Sequence, residues 1–260
     1  MRNLTFTFLG NTITSDEYNE TYGKLNDYAG EAKLIVKIAM NYNNKKNIRI
    51  MDVGCGTGQL LSEIENSCNS HKIKGIGVDI HPDFIEYAIN RNLKNSTFIL
   101  HNVFDLSFPF NTFDLVLIST YLIQTAPDYH SFKFLVNQLS DWLPTSGVLI
   151  FSFIDYNLYS KKYNDGTFEI NLYKNNWVAE GFTQNQPSLS RRFFQLSFTN
   201  IHSKVSFGSQ AYYLDLSTSN LQDLFEKEFV LDFVNGKNIG IKDDGCRVWA
   251  ILKKRGKKNL

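Results

Sequence analysis

The sequence predicts an α/β fold with a seven-stranded, mostly parallel sheet, helices on both faces, and an antiparallel β insertion after the fifth strand. Two patterns predict it: apolar runs alternate with helical stripes up to residue 155, and a period-two alternation follows from 156 to 216. With 260 residues, 43% of them apolar, the chain is long enough to bury the core of such a domain.

The first part of the chain supplies five strands. Apolar runs at 48–53, 74–79, 97–101, 113–119 and 148–154 have strand length, and the fourth is apolar nearly throughout, as expected of a strand buried on both faces. Apolar residues at helical spacing predict the helices, beginning with one that contains Ala32, Ile35, Ile38 and Ala39. Strands that alternate with helices in this way form βαβ units and a parallel sheet.

The pattern changes after Asp155. Apolar and polar residues alternate near 168–172, 194–198 and 212–216, which predicts an antiparallel sheet with one wet face. Ser217 has the side chain of a helix N-cap, and the runs 230–234 and 247–252 predict two final strands. We therefore expect a main domain of residues 1–155 and 217–260, with 1–28 as an N-terminal lid segment. Residues 156–216 form an insertion that covers the ligand pocket or mediates a homodimer.

Charge and cysteine content restrict the partners of the chain. Lys plus Arg total 27 against 26 Asp plus Glu, so the basic excess typical of nucleic-acid-binding proteins is missing and a nucleic-acid partner is not expected. The three cysteines, at positions 55, 68 and 246, lack CxxC spacing, which argues against a disulfide framework or a metal site. Because the start lacks a signal-peptide pattern and no apolar run reaches 18 residues, we expect a cytoplasmic protein without a membrane span.

A glycine-rich loop at the end of the first predicted strand carries the strongest signal. It runs Asp52-Val53-Gly54-Cys55-Gly56-Thr57-Gly58, and its glycines let the backbone turn tightly and let a ligand lie against it. Asp79 ends the next strand, where a carboxylate can accept hydrogen bonds from both hydroxyls of a ribose. The spacing differs from the GxGxxG of dinucleotide sites, because Gln59 stands where the last glycine would be, and the Gly-Lys-Ser/Thr of a P-loop is missing.

This loop resembles the nucleotide-binding motif of class I S-adenosylmethionine-dependent methyltransferases, which have a Rossmann-like fold. Three further segments fall in register with that family: residues 75–82 resemble its second strand, 102–116 its third loop and fourth strand, and 143–147 the turn before its fifth strand. The resemblance covers roughly residues 30–155 and again the C-terminal strands. It implies S-adenosylmethionine as the cofactor.

The resemblance also implies how this cofactor, the methyl donor, is held. Asp52 and the backbone of Gly54 and Gly56 would bind its methionine end, Asp79 its ribose, and Ile80 would pack on its adenine. Further contacts are implied for Cys55, Gly58, Asn102, Val103 and Ser119, and for Tyr22 and Tyr28 of the lid segment. Where the family commonly has Asp, Asn102 offers a side-chain carbonyl to the adenine amino group.

The acceptor is expected beyond the carboxyl ends of the fourth and fifth strands, where ligands of open α/β sheets bind. Tyr121, Asp155 and His202 are the candidate catalytic residues, because each carries a group that can remove a proton from an acceptor. A roof formed by the aromatic-rich insertion suits a small organic acceptor. The layout resembles that of sugar N-methyltransferases and glycine-type N-methyltransferases.

Several functions stay open on the sequence alone. The first is methyl transfer to an N or O atom of a small organic molecule. The second is RNA- or protein-directed methylation, although Ser119-Thr120-Tyr121-Leu122 differs from the Asn-Pro-Pro-Tyr type of amino-methylation motif. A third is a regulatory protein that binds S-adenosylmethionine without catalysis. A dehydrogenase is the fourth, and the glycine spacing counts against it.

Overall fold

The computed structural model describes residues 14–42, 47–67, 72–119, 122–163, 166–172, 177–186, 190–204, 206–239, 241 and 245–255. Within these ranges, no helix combines the length and the apolar character needed to cross a membrane. The strands are β1 Asn47–Val53, β2 Lys72–Asp79, β3 Ser96–Leu100, β4 Leu115–Ile118, β5 Val148–Ile154, β6 Gly166–Leu172, β7 Trp177–Gln186, β8 Arg191–Asn200, β9 Ser206–Leu214, β10 Phe229–Asn235 and β11 Arg247–Lys254.

Seven of these strands form the main sheet, in the order β10-β11-β5-β4-β1-β2-β3. Strands β1 to β5 run parallel, and β11 lies antiparallel between β5 and β10. The strand order reverses direction between β1 and β4, which is where open α/β sheets form a crevice at the carboxyl ends of their strands. The predicted fold class is therefore confirmed.

Helices cover both faces of this sheet. They are α1 Ser15–Glu20, α2 Tyr22–Leu25, α3 Tyr28–Tyr42, α4 Gln59–Ser67, α5 Pro82–Asn90, α6 Tyr129–Asp141, α7 Tyr156–Lys162 and α8 Thr218–Phe225. Because side chains alternate along a strand, Leu115 and Leu117 of β4 pack with α3 and α4, whereas Val116 and Ile118 pack with α6 and α8. The core thus consists of two apolar clusters separated by the sheet.

Strands β6 to β9 form a separate antiparallel sheet, which we call the roof sheet. Its β7 was not predicted, because the sequence of that strand mixes polar and apolar residues without a clean alternation. Helix α7, which forms about two turns at the start of the insertion, was also not predicted. Asp155 begins this helix by accepting a hydrogen bond from the Leu158 amide.

The buried side chain of Gln124 joins the roof sheet to the main sheet. Its Nε2 donates to the carbonyls of Ile154, at the end of β5, and Leu214, at the end of β9, at 3.1 and 3.0 Å. Its Oε1 accepts from the Ile154 amide at 2.7 Å. These three bonds fix one end of the roof sheet beside the carboxyl edge of the main sheet.

Candidate functional site

The glycine loop connects β1 to α4 in a left-handed backbone conformation. Gly54, Gly56 and Gly58 have φ angles of +69°, +53° and +72°, values that other residues rarely adopt. A Cβ at Gly58 would also approach the Phe98 ring to 2.7 Å, and one at Gly54 would collide with the Leu122 side chain. Both the backbone conformation and the space around it therefore require glycine at these positions.

Asp79 stands at the end of β2 beside this loop. Its two carboxylate oxygens accept hydrogen bonds from the backbone amides of Gly56 and His81, at 2.8 and 2.9 Å. The neighbouring Ile80 is 41% exposed and Leu100, at the end of β3, is 49% exposed. A half-buried carboxylate next to two exposed apolar side chains suits a ribose with a flat base attached.

Asp52 is the most unusual group at this edge of the sheet. Its side chain is 1% exposed, and neither carboxylate oxygen has a hydrogen-bond partner. Burial raises the pKa of this carboxyl well above its usual range, and the neighbouring carboxylates of Asp79 and Glu31 raise it further. A buried carboxylate without a donor is costly, so the position calls for a cationic or hydrogen-bond-donating ligand.

Four further residues for which the resemblance implies donor contacts lie just beyond the ends of β1, β3 and β4. The side-chain oxygen of Asn102 accepts from the Phe104 amide at 3.1 Å, while Val103 and Ser119 are buried. Cys55 is buried beneath the loop, and burial raises the pKa of its thiol. The donor contacts implied for these four residues stay predictions.

The described part of the lid segment, residues 14–28, lies over the glycine loop. Tyr18 is the residue that a Cβ at Gly56 would meet, with the hydroxyl at 3.6 Å. Its ring stacks on Tyr22, with ring centroids 5.8 Å apart, and its hydroxyl lies 3.3 Å from that of Tyr28. Burial raises the pKa of Tyr28 to about 12, so its hydroxyl stays protonated at physiological pH.

Nothing in the sequence indicated a role for Tyr18 at the site. The sequence feature that could have indicated its position is the capping box of Thr14 and Glu17, with which α1 begins. A helix that begins there contains Tyr18, whereas Tyr22 begins the separate helix α2.

The roof sheet packs against the lid segment. Tyr22 packs edge-on against Phe198 of β8, with ring centroids 4.6 Å apart, and Phe198 is fully buried. Phe194 of the same strand contacts Tyr159 of α7 and Tyr213 of β9, with centroids 5.6 and 5.1 Å apart. The inner face of the roof sheet is thus aromatic and continuous with the lid.

The three candidate catalytic residues are not brought together by the described structure. Tyr121 lies outside the described residues. Asp155 is 2% exposed, and its carboxylate accepts from the amides of Leu158 and Thr218 at 3.1 and 2.8 Å. His202 is exposed in the turn between β8 and β9. These contacts give Asp155 a structural role, and the catalytic roles stay predictions.

S-adenosylmethionine fits the groups present. Its ammonium would supply the hydrogen-bond donor that the buried Asp52 carboxylate lacks, and its ribose hydroxyls would lie at Asp79. The glycines at positions 54 and 56 place no Cβ between its methionine chain and the loop backbone. A glycine loop and a carboxylate on the neighbouring strand define a nucleoside-binding Rossmann-like domain.

Comparison with known proteins gives the family. A family model described as a methyltransferase domain matches residues 44–190, more than half of the chain. A malonyl-[acyl-carrier protein] O-methyltransferase from Bacillus anthracis is 26% identical over 193 residues, covering 72% of this chain and 66% of that relative. This chain therefore spans just under two thirds of the relative's length.

Solved structures share the fold. A S-adenosylmethionine-dependent methyltransferase from Clostridium acetobutylicum matches with a TM-score of 0.74 at 17% identity, over 93% of this chain and 98% of that one. A sugar N-methyltransferase from a Streptoalloteichus species matches with a TM-score of 0.67 at 16% identity, over 98% of each chain. The chain belongs to the class I S-adenosylmethionine-dependent methyltransferase family, as its glycine loop indicated.

Proposed function

We propose that this protein transfers the methyl group of S-adenosylmethionine to an N or O atom of a small organic acceptor. The observation that carries the proposal is the buried, partnerless carboxylate of Asp52 beneath a glycine loop that the lid segment and the roof sheet cover. Such a carboxylate favours a cationic ligand, and the cover favours a reactant small enough to be enclosed.

The donor, when bound, supplies a methyl group activated by the sulfonium. The protein has to hold the acceptor in line with it and exclude water, and orientation alone is worth on the order of 7–11 kcal/mol. Asp52 and Asp79 would fix the two ends of the donor, while Tyr18 and Tyr22 would shield the reacting centre. The aromatic faces of these tyrosines would also stabilise the sulfonium charge.

The acceptor side combines aromatic rings with a few polar groups. Arg192 of β8 lies over the rings of Tyr156 and Tyr159, at 5.2 and 5.1 Å, and the Asn185 amide donates to the Tyr156 hydroxyl at 3.2 Å. Polar groups set among rings suit a hydroxylated or amino-substituted small molecule. One similar protein is named as a sugar N-methyltransferase, which lies within this class. Another is named as a malonyl-[acyl-carrier protein] O-methyltransferase, so the names leave both N and O open as the methylated atom.

Isotope transfer tests this proposal directly. The protein is incubated with methyl-labelled S-adenosylmethionine and a metabolite extract, and the label is followed by mass spectrometry in small molecules and in macromolecules. We expect label in a small molecule. Label confined to RNA or protein would contradict the acceptor class, and donor binding without any transfer would indicate a regulatory protein.

A homodimer through the roof sheet stays a prediction. On the sheet face opposite to Phe198 and Phe194, the rings of Phe193 and Tyr212 lie 5.2 Å apart beside Phe182. Light scattering after size-exclusion chromatography, with Tyr212→Lys as the disrupting variant, tests whether this face joins two copies.

A further inference from the structure

We propose that Asn19, in the lid segment, binds the carboxylate of the methyl donor's methionine end. The side-chain Nδ2 of Asn19 is buried and has no hydrogen-bond partner. Buried amide groups in folded proteins are nearly always hydrogen-bonded. A buried N–H group without a partner beside the glycine loop therefore indicates a hydrogen-bond acceptor on a bound ligand. Neither the sequence analysis nor the family resemblance gave this residue a role.

The position of Asn19 is set by the glycine loop itself. Its Oδ1 accepts a hydrogen bond from the Thr57 hydroxyl at 2.7 Å, which fixes the plane of the amide. The preceding residue, Tyr18, packs on Gly56, and Gly23 lies close to the Gln59 side chain. Helices α1 and α2 therefore lie against residues 56–59, with the unpaired Nδ2 of Asn19 at the same loop.

The unpaired atoms of Asp52 and Asn19 are together complementary to an α-amino acid. Asp52 offers two acceptor oxygens without donors, and Asn19 offers donor hydrogens without an acceptor. The methionine end of the donor carries an ammonium and a carboxylate on one carbon, so it needs one partner of each kind. The charged groups that raise the pKa of Asp52 are the carboxylates of Asp79 and Glu31. Acidic surroundings suit the ammonium, and the neutral Asn19 amide suits the carboxylate.

The inference rests on the proposed function, and the test separates the two. Two ligands are titrated calorimetrically into wild type and variants: S-adenosylmethionine, and its decarboxylated form, which lacks only the carboxylate. Asn19→Asp replaces the donor amide by an anion of the same shape. We expect it to weaken binding of S-adenosylmethionine about tenfold or more, as for loss of a charge-assisted hydrogen bond, and to leave binding of the decarboxylated form unchanged or tighter.

Asn92→Asp is the matched control, because it adds the same charge at an exposed asparagine whose amide donates to the nearby Asn90 carbonyl. If Asn19→Asp fails to fold, Asn19→Ala gives the same comparison of the two ligands. Equal losses for both ligands, or no loss for S-adenosylmethionine, would overturn the role of Asn19 while leaving the proposed function intact. Wild-type protein that bound neither ligand would overturn both.

Discussion

At the scale of single residues, the buried Asp52 lowers the stability of the ligand-free protein while it favours binding of the methyl donor. Its carboxyl has a raised pKa in the folded protein, so the unfolded state ionises first as the pH rises. The contribution of this group to stability is therefore present below its unfolded pKa of about 3.9 and is lost as the pH rises toward the folded pKa. At neutral pH, an ionised Asp52 destabilises the folded protein when no S-adenosylmethionine is bound.

Asp52→Asn should therefore stabilise the ligand-free protein and abolish donor binding. The amide has the same shape and carries no charge to desolvate, so we expect a higher Tm at pH 7. For a chain of this size, each 1 kcal/mol gained corresponds to about 2–4 °C. Thermal unfolding with and without S-adenosylmethionine, between pH 4 and 8, checks both effects. A ligand-free variant less stable than wild type at pH 7 would contradict this account.

Asp79 makes a second prediction at the same scale. Its carboxylate is half-buried and accepts from two backbone amides, so Asp79→Asn keeps the shape but removes the charge and one of the two acceptor oxygens. If this carboxylate holds both ribose hydroxyls, we expect affinity for S-adenosylmethionine to fall at least tenfold, since hydrogen bonds to a charged acceptor contribute about 1.5–3 kcal/mol. Calorimetry measures the change, and unchanged affinity would refute the ribose assignment.

At the scale of secondary-structure elements, the lid segment depends on its neighbours. Helices α1 and α2 have 6 and 4 residues, far fewer than an isolated helix needs in water. Their order therefore comes from packing, and Tyr22 provides much of it by contacting Tyr18 on one side and Phe198 on the other. The lid is a weakly stable element that bridges the glycine loop and the roof sheet.

Tyr22→Ala should speed dissociation of the donor. Each aromatic contact is worth about 0.5–1.5 kcal/mol beyond its buried area, so losing two predicts a rise of about five- to 150-fold in the off-rate. Stopped-flow displacement measures this rate. The control is Tyr42→Ala, which removes an exposed hydrogen bond to Asp232 far from the loop and should leave the rate unchanged.

At the scale of the whole molecule, the parts that the sequence predicted are those with local patterns. The strands of the main sheet, the glycine loop and the Ser217 cap each depend on residues close together in the chain, and all three are as predicted. The closure of the site depends on distant pairs. Gln124 bonds Leu214, 90 residues away, and Arg247 pairs with Glu31, 216 residues away. Contacts between residues so far apart leave no local periodicity in the sequence, so they could not be predicted from it.

The pair of Arg247 and Glu31 shows what those distant contacts do. Both side chains are buried, and Arg247 also donates to Ser152 of β5 at 3.1 Å and to Asn26 at 3.2 Å. The Asn26 amide donates in turn to the Tyr28 hydroxyl at 3.4 Å, and that hydroxyl lies 3.3 Å from the Tyr18 hydroxyl. One chain of hydrogen bonds thus connects the last strand of the sheet to the residue that covers the loop.

Asn26→Ala breaks this chain while leaving the buried ion pair intact. The variant loses the hydrogen bonds of Asn26 to Arg247, to the Tyr28 hydroxyl and to the Tyr22 carbonyl, each worth about 1 kcal/mol. We expect hydrogen exchange of residues 15–25 to accelerate in the ligand-free protein, with a smaller change in global stability, because these bonds order the lid segment. The control is Arg49→Lys, which perturbs another ion pair, to Asp114 at 3.0 Å, across the β1–β4 junction. That variant should lower stability without a selective effect on the lid. Exchange that rises equally in both variants would show that Asn26 has no particular role in ordering α1 and α2.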